Sequence, residues 1–204
     1  LLENTYDEWR LSAFATDPDS GRTCQQCHMP DRRHLWRGIH DSSMVRDGVV
    51  IVVSAEALTG DTLSATLKLT SVQVGHNFPT YATPKVYLEA YQIGDDSAIL
   101  EGSLARDTIG WHLSQNLTYE YFDTRLAPGD SATLKYLRPR SPGAVELIFE
   151  VWVAPDEFYT HFYEAKLAGD FTEYGTALIE RALRESRESV YTIFEERIEL
   201  PSGQ

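Results

Sequence analysis

The sequence predicts a mainly β fold with additional α-helices, in which an N-terminal arm of helices and loops packs on an Ig-like antiparallel β-sandwich with C-terminal helices. Three observations predict it. From Gly48 onward, short apolar runs and alternating apolar and polar residues are typical of strands. Turn-forming residues separate these runs at spacings that suit a sandwich. After Pro155 the apolar residues recur with a period near 3.6, which indicates helices.

About seven antiparallel strands are expected. Residues 49–53 form a short buried run, and Leu63, Ala65, Leu67 and Leu69 recur at every second position. Further strands are predicted at 86–91, 131–136 and 145–153, with a returning strand at 190–200. The turns between strands are predicted at 59–61, 94–96, 128–130 and 141–143.

Two helices are predicted between the last two strands. Phe158, Phe162 and Ala165 share one helical face. Residues 174–185 continue the helical period, and Asp170 and Thr172 are both suitable N-caps for this second helix.

Composition and charge exclude several classes of protein. The chain of 204 residues is 42% hydrophobic and 24% charged, as in an ordinary globular protein. No stretch approaches the roughly 18 to 20 apolar residues that span a membrane. The formal net charge of −13 argues against binding to nucleic acid or to an anionic membrane surface, and it favours a basic docking partner.

The sequence begins at Leu1, without an initiator Met and without the apolar core of a signal peptide. We expect that an upstream part has been removed. A cleaved signal peptide would make this an exported protein, whereas the alternative is a segment of a longer chain.

The most specific motif is Cys24-Gln25-Gln26-Cys27-His28, which contains the only two cysteines of the chain. The spacing C-x-x-C-H is the pattern of c-type haem attachment. Two residues between the thiols let each sulfur reach one vinyl group on the same edge of the porphyrin, and the next histidine ligates the iron. The sequence therefore predicts one covalent haem c, bound by Cys24, Cys27 and His28.

Other chemistries of this motif fit the sequence less well. A thioredoxin-type redox pair needs a βαβ setting, whereas residues 17–21 before Cys24 are typical of a loop. A zinc site has no second close ligand pair to complete it. A disulfide across two residues would be strained.

The run Tyr6-Asp7-Glu8-Trp9 together with Thr23-Cys24-Gln25-Gln26-Cys27-His28-Met29-Pro30 resembles the haem segments of bacterial multihaem c-type cytochromes. In that family a histidine follows within a few residues, and a Gly-His-x-x-Pro-Thr element begins a downstream β domain. Here these features correspond to the segment 33–41, with His34 and His40, and to Gly75-His76-Asn77-Phe78-Pro79-Thr80. The chain differs from the family in having a single haem motif. The resemblance implies a c-type haem-binding segment at residues 1–47. It also implies a β-sandwich domain at 48–204, with a C-terminal helical segment and returning strand.

The second axial position of the iron has three candidate ligands. His76 lies after a predicted strand, on a turn shaped by Gly75 and Pro79, which would hold the imidazole rigidly. We favour His76 for this reason. His40 and His34 are the alternatives, because six residues can extend roughly 20 Å around a haem edge. One of those two histidines could instead ligate a haem of another module.

The resulting functional hypothesis is electron transfer through a bis-histidine haem, in an exported cytochrome chain or complex of the bacterial periplasm or cell surface. The expected partners are other cytochromes or redox proteins. A first alternative is a haem enzyme of the peroxidase or nitrogen-oxide reductase type, in which His34, Arg33 and Arg37 would act on a ligand at an open distal site. A second is an assembly module that shares haem ligands between subunits and so forms a homo-oligomer.

Overall fold

The computed structural model describes residues 3–19 and 21–201. The predicted segments 1–47 and 48–204 also include Leu1, Leu2, Ser20 and residues 202–204, which lie outside the described residues. Two antiparallel sheets form the body of the molecule. The smaller sheet has the order β1-β2-β6, and the larger has the order β5-β4-β3-β7-β8. The strands are β1 Val49–Ala57, β2 Thr62–Ser71, β3 Lys85–Ile93, β4 Ala105–Leu113, β5 Glu120–Asp123, β6 Ser131–Pro139, β7 Glu146–Ala154 and β8 Tyr191–Glu199.

The hydrophobic core lies between the two sheets. In β2 the residues that alternate in the sequence are buried, while the residues between them are partly or fully exposed. The buried set is Leu63, Ala65, Leu67 and Leu69. The strands β3 and β7, which are adjacent in the larger sheet, are buried along most of their length. Each fully buried leucine contributes about 1.5–3 kcal/mol by leaving water. The mainly β sandwich with helices is therefore confirmed.

The described residues contain eight strands rather than about seven. All the strands that the sequence predicted are present, within a few residues of their predicted bounds. β4 and β5 were not predicted. β4 carries Arg106 and Asp107 next to each other, and its Gly110 has a positive φ of 157°. The short β5 is exposed at every position and sits at the sheet edge, so no apolar alternation marks it.

The two helices predicted after β7 are confirmed. They are α5 Glu157–Leu167 and α6 Glu173–Glu188. Thr172, one of the two predicted caps, is the N-cap of the second helix and its hydroxyl accepts the Gly175 N–H at 3.1 Å. That bond satisfies an amide that the helix itself leaves free.

The N-terminal arm consists of short helices: α1 Thr5–Arg10, α2 Ala13–Thr16, α3 Cys24–His28 and α4 Ser42–Gly48, with a 3-10 turn at Pro30–Arg32. Side chains fasten its end to β8. The Arg46 guanidinium donates to the backbone carbonyls of Thr192 and Ile193, and the Tyr191 hydroxyl donates to the carbonyl of Ile39. The arm is thereby held against the edge of the sandwich.

Within residues 3–19 and 21–201, no helix has the length and apolar character needed to cross a membrane.

Candidate haem site

The haem motif forms the short helix α3, and its own residues explain why a helix begins there. The Thr23 hydroxyl accepts the Gln26 N–H at 3.3 Å, and the Gln26 side-chain oxygen accepts the Thr23 N–H at 2.7 Å. This capping box satisfies two amides at the helix start. Since residues three or four apart share a helix face, Cys24, Cys27 and His28 are presented together.

Both thiols are free and partly buried. Burial raises the pKa of the Cys27 thiol, an effect that the positive charge of Arg22 only partly offsets. A raised pKa keeps this thiol protonated, and thioether formation would remove the titrating group altogether.

The structure brings His28 and His76 together although they lie far apart in the sequence. Their ring centroids are 6.1 Å apart and their planes differ by 13°. The Nδ1–H of His28 donates to the carbonyl oxygen of Arg37, and that of His76 donates to the carbonyl oxygen of Asn77 at 2.8 Å. These bonds fix the orientation of both rings and leave each Nε2 as the lone-pair nitrogen, as is usual for metal-ligating histidines.

The separation of the two rings fits a single metal ion between them. Since a ligated imidazole nitrogen lies about 2 Å from the metal, two rings on opposite sides of one ion have centres roughly 6 Å apart. Burial lowers the pKa of His76, and its backbone bond and Glu8 only partly counter this effect. A lowered pKa keeps the imidazole neutral, which is the form that ligates iron.

A cavity of about 930 Å³ surrounds the two histidines and both cysteines. Its volume is within the range of about 300–1,000 Å³ found for cofactor sites. Apolar side chains from the arm and from the loop before β3 line much of the wall: Trp9, Phe14, Ile39, Met44, Val45, Val74, Phe78 and Pro79. Such a wall, with two thiols and the imidazoles of His28, His40 and His76 lining the same space, fits a haem better than it fits a polar substrate.

The other histidines have different surroundings. His34 is exposed and does not line the cavity that holds His28, and Arg33 is likewise absent from its wall. His40 lines the cavity, but its side chain is 58% exposed and its Nε2 lies 3.0 Å from the Asp156 carboxylate. His112 packs on aromatic rings of the hairpin formed by β4 and β5. His161 lies between two glutamates of its own helix.

No three His, Cys, Asp or Glu side chains in the described ranges 3–19 and 21–201 are grouped so that they could hold a metal ion. A structural zinc ion needs four ligands from the protein, whereas a haem iron takes only axial ligands.

A buried carboxylate holds the loop that carries His76. Glu8 accepts the backbone N–H of Asn77 at 3.0 Å, the Asn77 side-chain amide at 3.1 Å and the Thr80 hydroxyl at 3.0 Å. Arg125 lies 3.7 Å from Glu8 and donates to the Thr80 carbonyl at 2.8 Å. Both charged side chains are only 11% exposed. Glu8 thus fixes the residue whose carbonyl orients the His76 ring.

No periodicity or spacing in the sequence predicts this network. Glu8 belongs to the run 6–9 that resembles the haem segments of cytochromes, and that resemblance is the only signal that could have drawn attention to it. Arg125 has none, because it lies in a polar stretch after β5 and reaches the site only through the fold.

Replacing Glu8 by Gln is expected to lower the free energy of unfolding by about 1–3 kcal/mol, since a buried acceptor would be exchanged for an NH₂ group facing donors. Urea unfolding of the haem-loaded protein measures the change. The matched control is Asp7→Asn in the same helix, where the carboxylate is 49% exposed and pairs with Arg10 at the surface. Its expected cost is below about 0.5 kcal/mol. Equal effects of the two substitutions would contradict the assigned role of Glu8.

Comparison with solved structures shows which fold this chain resembles. The fold is similar to that of a multihaem c-type cytochrome, a penta-heme cytochrome c552 from Thermochromatium tepidum, with a TM-score of 0.65 and 18% sequence identity. The match covers 97% of this chain and 51% of the other, so this chain spans about half the length of that protein. No family model and no curated protein sequence matches the chain.

Proposed function

We propose that this protein transfers electrons through one covalently bound haem c, with His28 and His76 as the axial ligands of its iron. Cys24 and Cys27 would form the two thioether bonds. The observation that carries the proposal is the pair of imidazole rings 6.1 Å apart, each oriented by a carbonyl, in the cavity that both cysteines line. The likeness of the fold to a cytochrome supports it.

The bound group would supply one-electron chemistry, and the residues of this chain would determine where that chemistry occurs. The cysteines hold the group covalently, so that a large enclosing pocket is not needed. His28 and His76 would occupy both axial positions and leave no site for an exogenous ligand, which is the arrangement of an electron carrier. The apolar wall limits the access of water to the centre and so influences its redox potential.

The segment before β1, residues 1–47, would bind the haem, and residues 48–204 would form the supporting sandwich domain. We propose export to the periplasm or cell surface of a bacterium, with other cytochromes or redox proteins as partners. Of the three residues that the haem-enzyme alternative names, Arg37 lines the cavity with His28, but its guanidinium donates to Asp41 and Ser43, and neither His34 nor Arg33 lines that cavity.

Visible absorption of the purified protein tests the proposal. The expected result is a covalent haem with a low-spin, six-coordinate spectrum in both oxidation states that does not change when carbon monoxide is added to the reduced protein. Prompt binding of carbon monoxide would overturn bis-histidine ligation and would favour an enzyme. Absence of haem from protein matured in a host with the c-type attachment machinery would overturn the function itself.

A further inference from the structure

The charges of the chain are unevenly distributed. Residues 22–46, which include the haem motif, contain five arginines and two aspartates and no other charged residue of the Lys, Arg, Asp or Glu types. The whole chain has 18 basic and 31 acidic residues. The segment next to the candidate haem cavity is therefore basic although the protein is strongly acidic.

Several of these arginines have no ionic partner. Arg37 is held by Asp41 and Ser43, and Arg46 donates to carbonyls of β8. In the described part of the chain, no ion pair or side-chain hydrogen bond is formed by Arg32 or Arg33, and both are exposed. A pair of adjacent, unneutralised guanidinium groups attracts carboxylates from solution.

Two large apolar residues follow the arginines in the same loop. Leu35 is 59% exposed and Trp36 is 58% exposed. The Trp36 ring stacks on the ring of His28, with centroids 5.2 Å apart and planes 13° apart. A protein that covers Trp36 would therefore be separated from the proximal ligand by a single side chain.

The loop also has a concave shape. An open cavity of about 600 Å³ is lined by Arg33, Leu35 and Trp36 among other residues of the segment. Asp31, Arg32 and Trp36 have positive φ values of 58°, 60° and 44°. Non-glycine residues in this region of backbone space are concentrated at functional sites.

We propose that the surface formed by Arg32, Arg33, Leu35 and Trp36, the haem-edge surface, docks an acidic electron-transfer protein. The inference rests on the proposed function. An apolar centre with a charged rim is the usual anatomy of a protein interface, and the two free arginines select a partner of negative charge. One electron would pass between the redox centre of the partner and the haem beside His28, and no bond would form or break.

This proposal opposes the expectation from the net charge, which favours a basic partner. The local field governs the last approach of two proteins, because salt screens charges that lie farther than about 8–10 Å. The two expectations differ in the sign of the salt dependence of the reaction with an acidic protein.

The test is stopped-flow reduction of the haem-loaded protein by reduced flavodoxin, an acidic one-electron donor, at increasing ionic strength. Local attraction predicts that the rate falls about 10-fold between low and high salt. The double variant R32E/R33E should react about 10-fold more slowly at low salt and lose this dependence. Its matched control is R181E/R184E, which makes the same change in net charge on the exposed face of α6 and should alter the rate less than about 2-fold.

Two results would overturn the docking proposal alone. One is a native rate that rises with salt, or equal slowing by both double variants, since then only the net charge matters. The other is a changed haem spectrum in R32E/R33E, which would assign the arginines to the carboxylates of the haem itself. Failure of the proposed function would be visible earlier, as a native protein without a covalent, six-coordinate haem.

Discussion

Replacing Cys24 and Cys27 together by Ser is expected to abolish covalent haem attachment, from one haem per chain to none. Each thiol would form one thioether bond, and no other cysteine in the chain can substitute for them. The capping box of Thr23 and Gln26 stays intact in the variant, so α3 should still form. Intact mass and a haem stain of the denatured protein give the readout.

The matched control is Gln25→Ser, an exposed position in the same helix that should keep the haem. Native protein that gives the mass of the bare chain after maturation in a host with the attachment machinery would contradict the interpretation of the motif. Stoichiometric zinc in that protein would show that the motif binds a metal ion instead of a haem.

Replacing His76 by Ala is expected to convert a six-coordinate, low-spin haem into a high-spin centre that binds carbon monoxide stoichiometrically in its reduced form. The change removes the imidazole whose ring centre lies 6.1 Å from that of His28. His40 also lines the cavity, but its Nε2 lies 3.0 Å from the Asp156 carboxylate. Haem attachment itself should persist, since the cysteines and His28 are unaltered. Reduced-minus-oxidised spectra, with and without carbon monoxide, measure the effect.

The controls are His40→Ala and His34→Ala. The first loses only its contact with Asp156, and the second loses no contact seen in the structure. Both should keep the native spectrum. A high-spin spectrum in either control, with His76→Ala unchanged, would assign the distal position to that residue instead.

Much of the sandwich could be predicted from sequence because its physical cause is local. The alternation in β2 and the continuous apolar run in β7 follow from one strand facing one core. β4 lacked that signature because Arg106 extends toward Glu89 on the neighbouring strand, so its charge is compensated by a residue that lies far away in sequence. Cross-strand compensation of this kind cannot be recognised in a single segment.

The candidate site likewise has a part that local sequence predicts and a part that depends on the fold. The motif of Cys24, Cys27 and His28 is local, and so is the capping that shapes it. The approach of His76 to His28 depends on how the arm packs on the sandwich, and turn residues gave only an indirect reason to favour it. The hydrogen bonds by which Glu8 and Arg125 hold the His76 loop require three separate segments of the chain to meet. For that reason no pattern in any one of them predicted it.

The position of the two histidines has a consequence for folding. With the proposed ligation, the haem would act as a crosslink between the arm and the sandwich, closing a chain loop of about 48 residues between His28 and His76. The chain-entropy relation for crosslinks assigns about 4 kcal/mol to a loop of that length, by restriction of the unfolded chain. Both cysteines lie inside the haem motif, so no disulfide supplies such a restraint in the described structure. The haem would then link the arm to the sandwich, through thioether bonds on one side and the bond from iron to His76 on the other. Loss of the haem would remove this link as well as the redox centre.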